Sequence, residues 1–201
     1  MLTIIRRSSA ATLEIPVLLE KLERLSPTVS FTQTYPDEVQ GAFELAEPAV
    51  RALLLAAQDG GYWVGIGVGA FKAPRFAAAL GAVFTPECSG DSIDYSRLAV
   101  EQAQTGSPTR AVIVLGADRA FSEQATGVAR LLYRVASVRT ESENRVLNLM
   151  VPGVRGQQKM VAQVLEISAQ AVSKTLVRSM YHEQEAAIPA LVETMIRLGS
   201  D

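Results

Sequence analysis

Between Val161 and Leu176 the chain reads Val-Ala-x-x-Leu-x-Ile-Ser-x-x-Ala-Val-Ser-Lys-x-Leu. That spacing leaves little choice of local fold. Apolar residues recur three and four apart on either side of a polar break, so two short helices are expected, 157–166 and 169–181. Ala162 is small where two helices cross closely, and Leu165, Ile167, Val172 and Leu176 supply the apolar seam that sets their angle. Ser168 stands where a hydroxyl caps the second helix and leaves its first turn free to enter a major groove. Glu166 holds the turn position where glycine is common. This is the pattern of a helix-turn-helix. The outer face of its second helix carries Gln170, Ser173 and Lys174, with Arg178 further along; Gln can read adenine and Lys can reach guanine or phosphate. A helical hairpin that merely packs, with a solvated polar face, is the competing interpretation.

Charge sharpens the choice. The chain of 201 residues carries a net charge of −2, so it is not basic throughout and any nucleic-acid contact must be a local patch. Residues 145–178 hold Arg145, Arg155, Lys159, Lys174 and Arg178 against Glu166 alone, a local excess of +4. Arg155, Lys159 and Arg178 are therefore assigned to phosphate, and Gln170, Ser173 and Lys174 to bases. Double-stranded DNA is the expected partner, and a homodimer on paired half-sites the expected form.

Upstream, strand and helix signals mix. Leu2–Ile5 is a β-branched apolar run. A helix begins near Ile15 with Pro16 in its first turn. Val29–Thr34 and Val39–Glu44 alternate apolar and polar around Tyr35-Pro36-Asp37-Glu38, a hairpin pattern. A helix over 47–58 stops at Asp59-Gly60-Gly61, and Tyr62–Val68 is a strand. Asp91 or Ser92 caps a helix to Gln104, and Ala111–Leu115 is a buried strand. The order β-α-β-β-α-β-loop-α-β is α+β, the ferredoxin-like split βαβ order extended by one strand. A long helix, Phe121–Val138, then connects to an all-helical end, with a capping box in Thr140-Glu141-Ser142-Glu143 and a last helix interrupted at Pro189. The expected division is 1–118, a connector 119–138, and 139–201. The apolar face of the connector serves as a dimer seam or as an internal core face.

Two features of the first part carry chemistry. Asp37 and Glu38 sit at the hairpin tip, either as ordinary turn residues or as ligand contacts. Gly65, Gly67 and Gly69 share one face of a strand, and a strip without side chains invites a packed helix or a ligand. Thr34-Tyr35-Pro36-Asp37-Glu38-Val39-Gln40-Gly41, the Gly65-Ile66-Gly67-Val68-Gly69 strand, Gly90-Asp91-Ser92 before Tyr95, Arg97 and Ala99, and the C-terminal helix-turn-helix together resemble the SatD family over residues 28–199. Tyr35-Pro36 departs from the glycine usual before the Asp. The resemblance implies a domain similar to nucleotide cyclases and GGDEF domains, fused to a DNA-binding module.

Cyclase chemistry needs two metals, held by carboxylates from the first strand and the hairpin tip. Here the first strand ends in Arg6 and Arg7, with no acid. A degenerate, non-catalytic domain is expected, with no metal and no cofactor. Arg6 and Arg7 either pair with Asp37 and Glu38 or hold an anionic nucleotide effector.

The remaining singletons are weaker. Cys88 is the one cysteine and His182 the one histidine; an inert, partly buried thiol and a surface imidazole are expected. Trp63 is expected in the core. No apolar run approaches the ~20 residues that span a bilayer. Met1–Arg7 lacks the order of a signal peptide, so a cytoplasmic protein is expected. A nucleotide-processing enzyme and a protein-interaction module are the alternatives to DNA binding.

Overall fold

The computed structural model describes residues 1–7, 14–72 and 87–200. Its centre is a five-stranded mixed sheet of β1 (Leu2–Arg6), β2 (Val29–Tyr35), β3 (Glu38–Ala42), β4 (Tyr62–Gly67) and β5 (Val112–Leu115). The spatial order is β2-β3-β1-β4-β5, antiparallel except for the β4–β5 pair. Strand alternation sorts the side chains by face. Leu2 and Ile4 of β1, Tyr62, Val64 and Ile66 of β4, and Val112 and Val114 of β5 all enter the main core. Four helices cover that face: α1 (Ile15–Glu23), α2 (Ala46–Asp59), α4 (Arg119–Ser137) and α8 (Tyr181–Leu198).

The opposite face is covered by α3 (Asp91–Gln104). Gly65 and Gly67 make this packing possible. A Cβ on Gly65 would stand 2.3 Å from the Ser96 carbonyl oxygen, and one on Gly67 2.0 Å from that of Ser92. The helix answers with small buried residues, Ser92, Ser96, Ala99 and Ala103. Ser96 Oγ also meets Thr3 Oγ1 at 3.0 Å beneath it. The N-cap of α3 is Gly90, with no side-chain cap, rather than Asp91 or Ser92. Residues 8–13 and 73–86 lie outside the described residues, and with them most of the loop expected after Val68.

β5 is an edge strand, yet three of its outer backbone groups have side-chain partners. Thr126 Oγ1 of α4 accepts from Val114 N (2.9 Å) and donates to Val114 O (3.1 Å). Ser122 Oγ accepts from Gly116 N (3.1 Å), and Arg130 Nε donates to Val112 O (2.9 Å). Four side-chain bonds thus block the edge against pairing with another strand. The apolar face of α4 lies inside the main core through Ala125, Ala129, Leu132, Tyr133 and Ala136. It is an internal core face, not a free dimer seam.

The helical end begins at α5 (Glu141–Leu147), opened by the expected capping box: Glu143 N donates to Thr140 Oγ1 and Thr140 N to Glu143 Oε2. Then come α6 (Gln158–Val164) and α7 (Ala169–Arg178). Val146, Leu147, Val161, Ala162, Val172, Leu176 and Tyr181 form a second, smaller core. Ile167, expected in the seam, is 40% exposed; the reversal at Glu166 turns it outward. The second helix stops at Arg178 rather than Tyr181, because Met180 is left-handed at φ +53. Pro189 does not interrupt α8 but lies inside it. That last helix joins both cores: Tyr181 belongs to the small one, and Ile188, Leu191, Met195 and Leu198 to the main one. Among the described residues no helix is long and apolar enough to cross a membrane.

Candidate nucleic-acid interface

Local sequence sets the geometry of the α6–α7 pair. Glu166 takes the left-handed conformation, φ +54. Its N–H donates to the Gln163 carbonyl (3.3 Å), and Ile167 N–H to the Ala162 carbonyl (2.9 Å). This is a Schellman ending for α6, with a glutamate where glycine has no steric cost. Ser168 then caps α7, its hydroxyl accepting from Ala171 N at 3.0 Å. Ser168 thus acts on the backbone. Val172 and Leu176 are buried in the small core, so the other side of α7 faces out.

That outer side holds Gln170, Ser173, Lys174 and Arg178, all exposed. Val177, at 71% exposure, belongs with them; its place follows from the same 170-173-174-177-178 spacing. Lys159 is exposed on α6 and Arg155 on the preceding loop. Gln157 fixes that loop: it donates to Val151 O (2.7 Å) and Val154 O (2.9 Å) and accepts from Val151 N (2.8 Å). Arg155, Lys159 and Lys174 make no ion pair among the described residues.

Arg178 also makes a contact inside the protein. Its Nε is 2.6 Å from Glu143 Oε1, so it ties the end of α7 to α5. Glu143 is 6% exposed. The Thr140 backbone N–H, and then Arg178 and the Thr140 hydroxyl, hold its carboxyl below the ordinary range despite burial. Much of the Arg178 side chain stays exposed, and no other ion pair of it is seen among the described residues. The missed residue was Glu143, whose partner is 35 positions away.

The second candidate site does not assemble. Arg6 Nε and Nη2 reach Asp37 Oδ1 at 3.0 and 2.7 Å, and this hydrogen bond raises the guanidinium above its ordinary value. Glu38 accepts from the Thr34 hydroxyl. Arg7 lies 4.3 Å over the Trp63 ring and donates to Tyr62 O (3.1 Å) and Pro108 O (3.3 Å). α3 covers the Cβ side of Gly65 and Gly67, while Gly67 and Gly69 line a cavity of about 350 Å³ with Met1 and Ser92, away from Asp37 and Glu38. Gly69 follows the far end of β4, since β1 pairs Leu2 with Ile66 but Arg6 with Tyr62. The hairpin tip and Gly69 are therefore separated by about five residues of strand, roughly 15 Å. Among the described residues no group of three or more His, Cys, Asp or Glu comes together. Cys88 is half-buried, and burial, then Glu87, pushes its thiol up. Compared with known families, curated proteins and solved structures, the chain matches none.

Proposed function

We propose that this protein binds double-stranded DNA through α6 and α7 as a helix-turn-helix, and acts as a transcriptional regulator in the cytoplasm. The observation that carries the reading is the exposed face of α7. It combines a Ser168-capped N-terminus with Gln170, Ser173, Lys174 and Val177 in one row. Gln170 and Lys174 suit base edges, and Val177 suits a thymine methyl. Lys159, Arg155 and the outer nitrogens of Arg178 suit phosphates. A homodimer on paired half-sites belongs to the proposal, with a seam other than the buried face of α4.

The N-terminal sheet supports a ferredoxin-like, cyclase-related domain that performs no catalysis. Its β2-β3-β1-β4 order with two helices on one face agrees with that relation. The resemblance to the SatD family is part of the same proposal. Arg6 stands where a metal-binding carboxylate is needed and instead neutralises Asp37, which argues against a nucleotide-cyclising enzyme.

The test is binding to sites selected from random DNA. Lys174→Ala and Gln170→Ala each weaken specific binding by ~1–3 kcal/mol with the fold intact. Lys159→Ala lowers the salt slope by about 1 and weakens all sequences alike. Unchanged affinity in the Lys174→Ala, Gln170→Ala double variant refutes the assignment. One observation favours a second reading: Met160 and Val164 expose apolar surface on the outer side of α6, as a protein-binding module would. Binding to such a partner depends little on salt, whereas DNA binding falls steeply with it.

A further inference from the structure

A cavity of about 520 Å³ lies between the main core and the small helical core. That size is ordinary for a small-molecule site. Its apolar wall comes from Leu54 and Leu55 of α2, Leu147 of α5, and Leu25 and Met150. Its polar wall includes Glu47 and Arg51 of α2, Arg139, and Tyr181, Gln184 and Glu185 of α8.

The charges on that wall are not balanced alike. Arg51 is 2.8 Å from Glu185 and 3.5 Å from Glu47, so two carboxylates neutralise it. Arg139 is half-buried and makes no ion pair among the described residues; burial lowers its guanidinium, and only the more distant charges of Glu143 and Glu185 oppose that. Its Nε and Nη2 donate to Ser179 O (3.0 and 2.7 Å), and its Nη1 donates to Gln184 Oε1 (2.7 Å). Three of the five guanidinium N–H groups are thus used, on neutral acceptors, and two are left. Tyr181 lines the same cavity, is 7% exposed, and its hydroxyl has no hydrogen-bond partner among the described residues. An unused donor shielded from water is costly. A desolvated cation and an idle hydroxyl on one apolar cavity call for the same complement, an oxyanion on an apolar body.

We propose that this cavity is an effector site for a small amphipathic monoanion, an aromatic or branched carboxylate or sulfonate, held by Arg139 and Tyr181. Occupancy bears on the DNA-facing helix. Ser179, whose carbonyl Arg139 holds, is the C-cap of α7, and Tyr181 is the first residue of α8 after the left-handed Met180. A ligand drawing on Arg139 and Tyr181 therefore acts on the joint behind α7. This coupling rests on the DNA-binding reading; the site itself does not.

The test uses two fluorescent probes on the full chain: 1-anilinonaphthalene-8-sulfonate, and N-phenyl-1-naphthylamine, the same rings without the sulfonate. The sulfonate is expected to bind at one saturable site, at least tenfold more tightly than its neutral analogue. Tyr181→Phe removes only an unbonded hydroxyl, so folding is not at stake. It is expected to weaken the sulfonate about tenfold and leave the neutral probe unchanged. Leu55→Trp, checked for an unchanged melting profile, fills the cavity and abolishes both. Unsaturable fluorescence, or equal sulfonate affinity in wild type and Tyr181→Phe, overturns the site. Saturating sulfonate is expected to shift the affinity for a selected DNA site at least fivefold in wild type. Probe binding without that shift overturns the regulatory coupling alone. Probe binding in a protein that retains no DNA overturns the DNA-binding reading and leaves the site standing.

Discussion

Gly67→Ala places one methyl between β4 and α3, and its effect decides what covers the glycine strip. The new Cβ would lie 2.0 Å from Ser92 O and 2.4 Å from Ser96 N, where real Cβ atoms keep at least 3.0 Å. Both neighbours are helix backbone, so no flexible side chain can yield. The first half of α3 must rise by about 1 Å, a gap that forfeits a quarter to a half of each dispersion contact it opens. Ser92, Ser96 and Ala99 lose packing, and the 3.0 Å Thr3–Ser96 hydrogen bond is stretched. Overpacking costs ~1–3 kcal/mol, and a clash with backbone belongs at the upper end. For a chain of this size ~3 kcal/mol lowers the melting temperature by ~6–12 °C. In urea, with a slope of ~2 kcal/mol/M, the midpoint falls by ~1.5 M.

Gly127→Ala is the control. It makes the same chemical change in the interior of α4, where an added Cβ meets nothing within 4 Å. It is expected to stabilise by ~0.5–1 kcal/mol through helix propensity. Opposite signs for one substitution at two glycines isolate the contact. A Gly67→Ala midpoint equal to wild type would mean that α3 does not rest on the strip. The face would then be open to a ligand, and the division into layers described above would be wrong.

Three further outcomes follow from single contacts. Thr126→Val keeps the shape of a buried side chain but strips both Val114 backbone groups of their partner; at ~1–3 kcal/mol for each unsatisfied group, urea midpoints should report a loss of ~2–6 kcal/mol. Glu166→Gly relieves a left-handed non-glycine residue at φ +54 and should raise stability by ~0.5–1 kcal/mol, the left-handed strain less the unfolded-chain entropy of glycine; a lower melting temperature would refute the strain. Glu143 has a folded-state pKa below its ordinary value of 4.5, so its contribution is complete above that value and is lost as pH falls through the folded-state pKa. The stability gap between wild type and Glu143→Gln, from urea midpoints at pH 7, 5, 4 and 3, should hold from 7 to 5 and close toward 3; a gap constant to pH 3 would refute the charged pair.

What was legible in the sequence was local. Alternation in Val29–Thr34 and the β-branched run Leu2–Ile5 set strands, because a pleated chain repeats every two residues. Thr140 with Glu143 and Ser168 before Ala169 set helix starts, because a cap reaches only three residues. Gln170, Ser173, Lys174 and Arg178 on the outer face of α7 came from helical period in the same way; Val177 shares that period but was added by its exposure. What escaped was whatever joins distant segments. Pro189 looked like a break, yet α8 continues through it, with Ile188 and Leu191 on either side buried in the main core. Arg178 looked free for phosphate because Glu143 is remote in sequence. Met180 gave no sign of its left-handed turn.

These non-local facts bear on function more than the local ones do. The spacing of 157–176 implies a separate DNA-binding bead on a connector. In the structure α8 starts in the small core at Tyr181 and ends in the main core at Leu198. Arg51 of α2 is bonded to Glu185 of α8, and Gln58 of α2 to Asn148 beyond α5. A domain joined through one flexible linker could swing without changing the affinity of α7. A domain joined through a shared helix and polar bridges cannot move against the sheet without breaking them. Its orientation is therefore a property of the whole molecule. On the proposed DNA-binding and effector readings, a ligand in the cavity need only alter the joint at Ser179–Tyr181 to reach the outer row of α7, whereas the glycine strip has no such route to it.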